Sequence, residues 1–306
     1  MQFPPAPIQR ALDTIDRVQQ RFKPSAFVVG VIKRYGDDRG SMYAALITFY
    51  ALLSLFPLLL LFITIASKIL GANSEAEQHL VNSALSRFPV IGQQLSDNIH
   101  ALSRSSWGTY VVSLLFLLWG ALGVTSALQM ASHQAWRRPR KDEPNIWIRS
   151  WRGLRLLAVI GAAVVLTSVA AGIATSSLLR SVPMVVTIMV DVAVVVVNAG
   201  AYFLAFRILA PHEAGWKELI FGTMVGAIGW TVIQQIGGLL LSHELRHASQ
   251  IYGFFGLVLG LIFWLNLGAQ LFLYSSEINV VIAQGGWPRS LFDPSDEVKA
   301  ELGAEG

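Results

Sequence analysis

Apolar residues in this chain gather into long unbroken runs rather than falling at the spacing of soluble amphipathic elements. Six runs exceed the roughly 20 residues that a helix needs to cross a bilayer. They are Met42–Leu70, Trp107–Met130, Leu154–Leu179, Met184–Phe206, Leu219–Leu241 and Ile251–Val281, and they hold four charges: Lys68, Arg155, Asp191 and Glu277. The pattern predicts an all-α, polytopic membrane protein with six transmembrane helices over residues 42–283. Ahead of them, Ile8, Leu12, Ile15, Val18 and Phe22 fall near helical spacing among charged residues, which predicts a helix on the membrane surface. Pro24 ends it. Ala26–Tyr35 is too short to span and predicts a second interfacial or elbow helix, so residues 1–41 read as a cytoplasmic interfacial segment. The connection 71–106 predicts an outer helical loop of two short amphipathic helices broken at Pro89, and residues 284–306 read as a cytoplasmic polar tail.

Composition sharpens this reading. Of 306 residues only 14% are charged, against about a quarter in soluble domains. Eighteen of the 23 basic residues fall on one side of the six-span pattern, and the positive-inside rule then places both termini in the cytoplasm. A charged leader precedes the first apolar run, which does not predict a cleaved signal peptide. The formal charge of +4 needs no nucleic acid partner; basic residues on the inner face suit anionic lipid head groups. The absence of cysteine excludes disulfides, thiolate nucleophiles and Cys-ligated metals.

Candidate chemistry is sparse. His243-Glu244-Leu245-Arg246-His247 matches HExxH, in which two His one turn apart share zinc and the Glu activates its water. Arg246 beside the metal and the lack of a downstream third His disfavour that reading. No GxxxxGK[ST] loop occurs. No cofactor, metal or enzymatic activity is expected. Polar residues inside the spans are more telling, because lipid makes them costly. Asp191, Asn198 and Tyr202 share one face of the fourth span, Asn266, Gln270 and Glu277 one face of the sixth, and Gln235 marks the fifth. The first adds Tyr50, Ser54 and Pro57, whose missing donor predicts a kink. Such stripes either line a hydrated path or hydrogen-bond each other between helices. Asp191 is favoured for function, Glu277 for pairing with a basic neighbour at the cytoplasmic edge, and Asp37 and Asp38 lie at the same interface. Gly222/Gly226 and Gly256/Gly260 are GxxxG pairs suited to close helix packing.

The block Ala44-Ala45-Leu46-Ile47-Thr48-Phe49-Tyr50-Ala51-Leu52-Leu53-Ser54-Leu55-Phe56-Pro57 resembles the first-span pattern of the YihY/BrkB family. Tyr252-Gly253, Trp264 and Ser276-Glu277-Ile278-Asn279 resemble its last-span pattern, and Asp37-Asp38 also fit. Ser275-Ser276 departs from the Gly-Ala usual before the Glu. The resemblance spans roughly residues 25–285 and implies a bacterial inner-membrane protein. It also brings an envelope or serum-resistance label and an older ribonuclease label, for which these residues supply no catalytic cluster. The expected function is a transporter or channel for a small polar solute, lined by the first, fourth, fifth and sixth spans. The alternative is a non-transporting envelope protein that handles lipid or scaffolds partners. Self-association is left open.

Overall fold

A computed structural model describes residues 21–70, 107–137, 145–175, 184–211, 213–243, 245–285 and 287–288. Within the helices it leaves aside the side chains of 56–70, 107–110, 112–113, 146, 168–175, 184–187, 237–243 and 245–257. Seven helices and no strand occur among the described residues: α1 Lys23–Asp37, α2 Gly40–Leu70, α3 Trp107–Ala135, α4 Ile146–Thr175, α5 Met184–Leu209, α6 Trp216–His243 and α7 Leu245–Gln284. An all-helical answer is what an apolar solvent demands, since every backbone N–H and C=O must find its partner within the same segment.

Five helices carry stretches long and apolar enough to cross a bilayer: Leu114–Ala135, Trp147–Thr167, Ile188–Leu209, Trp216–Ile236 and Val258–Gln284. Much of their apolar surface points outward. Val164, Val165 and Leu166 are exposed on three successive positions of α4, so that helix has no polar face to turn towards water. In α2 the described apolar stretch is Gly40–Leu55, while the helix itself runs on through Pro57 to Leu70.

Helix ends follow local chemistry. Pro24 sits in the first turn of α1, where its missing N–H costs nothing. Arg39, with φ 55°, takes the left-handed conformation that turns the chain from α1 into α2. Gly40 opens α2 directly against the Tyr35 ring, where a Cβ would collide. Between α5 and α6 the turn is held by Arg207 donating to the Ala214 carbonyl at 3.0 Å, and Glu218 accepts from the Gly215 N–H at 3.0 Å. The helix α4 begins eight residues before the third apolar run, carrying Trp147 and Trp151. Helical hydrogen bonding does not stop where hydrophobicity does.

The chain forms two compact units, with boundaries inside α2, α3, α6 and α7. The first comprises residues up to Ala44, Leu128–Gly229 and Gln270 onward; the second is Ala45–Ala127 and Trp230–Ala269. Residues 8–20 of the expected surface helix, the outer loop 71–106 and most of the tail lie outside the described residues, as do the His243–His247 side chains and the surroundings of Gly256. Phe22, where that helix is expected to end, is extended and caps α1.

Candidate functional site

In the first unit, Ala26, Gly30 and Arg34 of α1 and Asp38, which caps it, follow at successive intervals of four, and all four are buried. Ala26 and Gly30 are small and enclosed, and Arg34 reaches inward on the same face. Its Nη2 donates to the Ala135 carbonyl at the end of α3, at 2.8 Å, and to Gln284 Oε1 at the end of α7, at 2.6 Å. Its Nε lies 3.5 Å from Asp38 Oδ2 and 3.6 Å from Glu277 Oε2. One guanidinium thus ties three helices together, and Arg34, Asp38 and Glu277 are only 3%, 5% and 4% exposed.

An aromatic wall closes this cluster. Tyr35 stacks on Tyr274 with centroids 3.9 Å apart, and its buried hydroxyl has no hydrogen-bond partner among the described residues. Burial, then the neighbouring Tyr274 and the charge of Glu277, push the Tyr35 hydroxyl up to about 12. Arg137, exposed beyond the end of α3, adds its field to those of Asp38 and Arg34 at Glu277.

Beside the cluster, α6 and α7 meet across Gly222 and Gly226. The Gly222 N–H donates to Asn279 Oδ1 at 2.8 Å, and a Cβ on Gly222 would meet the Ser275 carbonyl oxygen. Gly226 lies against the Tyr202 ring and the Ser275 hydroxyl, so the first GxxxG pair seats both α7 and α5. Gly260 faces open space. Ser275, at the departure from the Gly-Ala pattern, keeps its hydroxyl occupied on the Leu271 carbonyl at 2.7 Å.

The residues expected to line a path divide between the units. Asn198, Tyr202 and Gln270 belong to the first; Tyr50, Ser54, Pro57, Gln235 and Asn266 belong to the second. Asn198 is buried, and Tyr202 packs on Phe206 and Phe272 at 5.8 and 5.6 Å between centroids. Asp191 is exposed on α5, and Gln235 is exposed on α6. In the second unit Asn266 donates to Thr48 Oγ1 at 3.3 Å, Ser54 donates to its own helix at the Ala51 carbonyl, and Tyr50 packs on Gly123. The Pro57 side chain lies outside the described ones. Asp37 is half-buried beside Asp38.

Sequence alone does not single out Arg34 or Gln284, and Asn279 enters only as part of the last-span pattern. Arg34 and Asp38 stand four apart on a short helix, a spacing that signals an ion pair. Nothing local signals Gln284, 250 residues away along the chain.

A profile of the Virulence factor BrkB family matches residues 31–297. The chain belongs to this family. The matched region includes every residue of the Arg34 cluster. The chain is also similar to Inner membrane protein YhjD of Escherichia coli (strain K12), 23% identical over 287 residues, which cover 87% of this chain and 85% of that protein. A second relative is an uncharacterised protein of Dickeya dadantii (strain 3937), 24% identical over 260 residues, covering 79% and 78%. No solved structure matches the chain.

Proposed function

We propose that this BrkB-family membrane protein is a transporter or channel for a small polar solute in a bacterial inner membrane, the location printed in the name of its relative YhjD. The observation that carries the reading is the buried cluster of Arg34, Asp38 and Glu277. A buried ion pair is poor value for stability, because desolvation offsets most of its attraction. Of the three, Glu277 lies within the span Val258–Gln284, where an ionisable group otherwise marks a solute or ion pathway. In this reading the chain has six spans with α2 as the first, and both termini are cytoplasmic. Asp191, Asn198, Asn266 and Gln270 contact the solute or coupling ion, while Asp38 and Glu277 gate the inner end. The chain has no catalytic activity and no nucleic acid partner, and anionic head groups cover its basic face.

The test is uptake or efflux with purified protein in liposomes. Flux that falls in Asp191→Asn and Asn266→Ala is the expected result; absence of flux, with a cellular phenotype indifferent to both substitutions, removes the proposal. A rival reading, a non-transporting protein that handles lipid or scaffolds partners, is favoured by the Asn266–Thr48 bond, since a polar stripe that satisfies itself is packing. Lipid or protein copurifying in fixed ratio without flux would select it.

A further inference from the structure

Among the described residues the buried charges are Arg34, Asp38 and Glu277: one cation and two anions. Both carboxylates approach the same atom, Arg34 Nε, at 3.5 and 3.6 Å, while Nη2 is directed to the Ala135 carbonyl and Gln284. One buried guanidinium thus faces two buried carboxylates. Glu277 Oε2, fully enclosed, accepts no hydrogen bond from any described residue, and the buried Tyr35 hydroxyl beside it also lacks a partner. With both carboxylates ionised, the three buried residues carry one negative charge in excess, an arrangement that buried sites avoid by taking up a counter-charge.

Other charged and titratable groups lie on the elements that supply the cluster. Tyr35 of α1 and Tyr274 of α7 stack on each other beside it, and Arg137, after α3, acts on Glu277. Lys33, Asp37 and Arg39 neighbour Arg34 and Asp38 along the chain, and His133 lies two residues before Ala135. Arg39 and Arg137 are exposed and Lys33 and Asp37 half-buried, so water and salt weaken their effect on the centre. The Tyr hydroxyls add no charge.

We propose that Asp38 and Glu277 form a proton-binding site, in which one proton shared between their carboxylates converts two competitors for Arg34 into a single acid–carboxylate pair. The proton comes from water and returns to it, and only an O–H bond forms or breaks. Uptake brings the buried charge from minus one to zero. Loss restores repulsion between α1 and α7 at the point where Arg34 ties them to α3, so proton occupancy sets how firmly these helix ends are held. This rests on the transport reading only for the use of the proton, as the coupling ion of a carrier.

The experiment is infrared spectroscopy of the purified full-length protein in detergent across neutral pH, reading the C=O stretch of protonated carboxyl groups. Wild type is expected to show one such band. Glu277→Gln and Asp38→Asn each leave one carboxylate for one guanidinium, so each should lose it. His133→Gln should keep it, which separates the carboxyl pair from the nearby imidazole. A wild-type protein without the band, or a band that survives in a folded Glu277→Gln or Asp38→Asn variant, overturns the proposal. Gel filtration and circular dichroism establish folding, and the wild-type spectrum decides alone should both variants fail to fold. A protein that shows the band but moves no solute loses the transport reading and keeps the proton site.

Discussion

The first compact unit buries three charges together with Asn198 and Asn279, whereas the buried polar side chains described in the second are Thr48 and Thr125. Each unit is held in its own way. In the first, long-range polar contacts converge on Arg34 and on the Gly222–Asn279 contact. In the second, glycines of α3 receive side chains of α2: Gly120 faces Ser54, and Gly123 faces the Tyr50 ring, which is itself edge-on to Trp119 at 6.0 Å. A hydroxyl bonded within its own helix, such as Thr125 on the Leu122 carbonyl, asks nothing of a neighbour. The contrast is between a unit that joins buried charges from distant helices and one whose long-range polar contact is the Asn266–Thr48 bond, beside packing by shape.

The largest expected effect comes from removing the central cation. Arg34→Met leaves two buried carboxylates without their counter-charge and should cost about 3–5 kcal/mol, read as a fall in the unfolding midpoint in detergent. Adding Glu277→Gln to it should recover a substantial part. An Arg34→Met protein as stable as wild type would break the contrast, because the first unit would then not depend on its ion pairs.

Next come the glycine contacts. Gly222→Val drives a side chain into the Ser275 backbone carbonyl and Asn279, groups that cannot move without shifting α7. Overpacking of about 3 kcal/mol or more is expected. Gly123→Val meets the Tyr50 ring, which can rotate, so a smaller loss of about 1–2 kcal/mol is expected from the same measurement. Equal losses would mean that the second unit is as rigidly specified as the first.

Smaller still is Asn266→Leu, which removes the bond to Thr48. Hydrogen bonds between membrane helices average about 0.6 kcal/mol, so stability should scarcely change. A large loss of flux without a loss of stability would assign Asn266 to the solute path.

The mildest effect concerns pH. The folded protein holds the Tyr35 proton up to about 12, against 10.0 for an ordinary tyrosine. Below pH 10 both folded and unfolded chains keep it. As pH rises from 10 towards 12 the unfolded chain releases it first, so stability declines over that window. Tyr35→Phe should remove this component of the alkaline decline.

Much of this was legible in the residues. Long runs with four charges told of helices in lipid, and each described helix covers most of its run. The elbow before the first run was legible too, because Ala26–Tyr35 is apolar, short and followed by Gly36-Asp37-Asp38; the structure begins that helix at Lys23 and uses Pro24 in its first turn. Glu277 was read as an acid needing a basic neighbour, but its neighbour was not identifiable. In the sequence Arg34 counts only among the eighteen basic residues that orient the chain. Helical periodicity puts Asp191, Asn198 and Tyr202 in line, yet a shared face does not say what that face meets: Asn198 is buried and Asp191 exposed on the same helix.

By itself, then, the sequence determined the solvent and the secondary structure, because lipid leaves the backbone no partner but its own helix and makes every charge conspicuous. Which charges meet was decided only by the tertiary structure. Arg34 joins Glu277, the end of α3 and Gln284 because the packed helices bring those ends within reach of one guanidinium. No periodicity within a single helix encodes a contact across 250 residues. It exists only once the helices have packed.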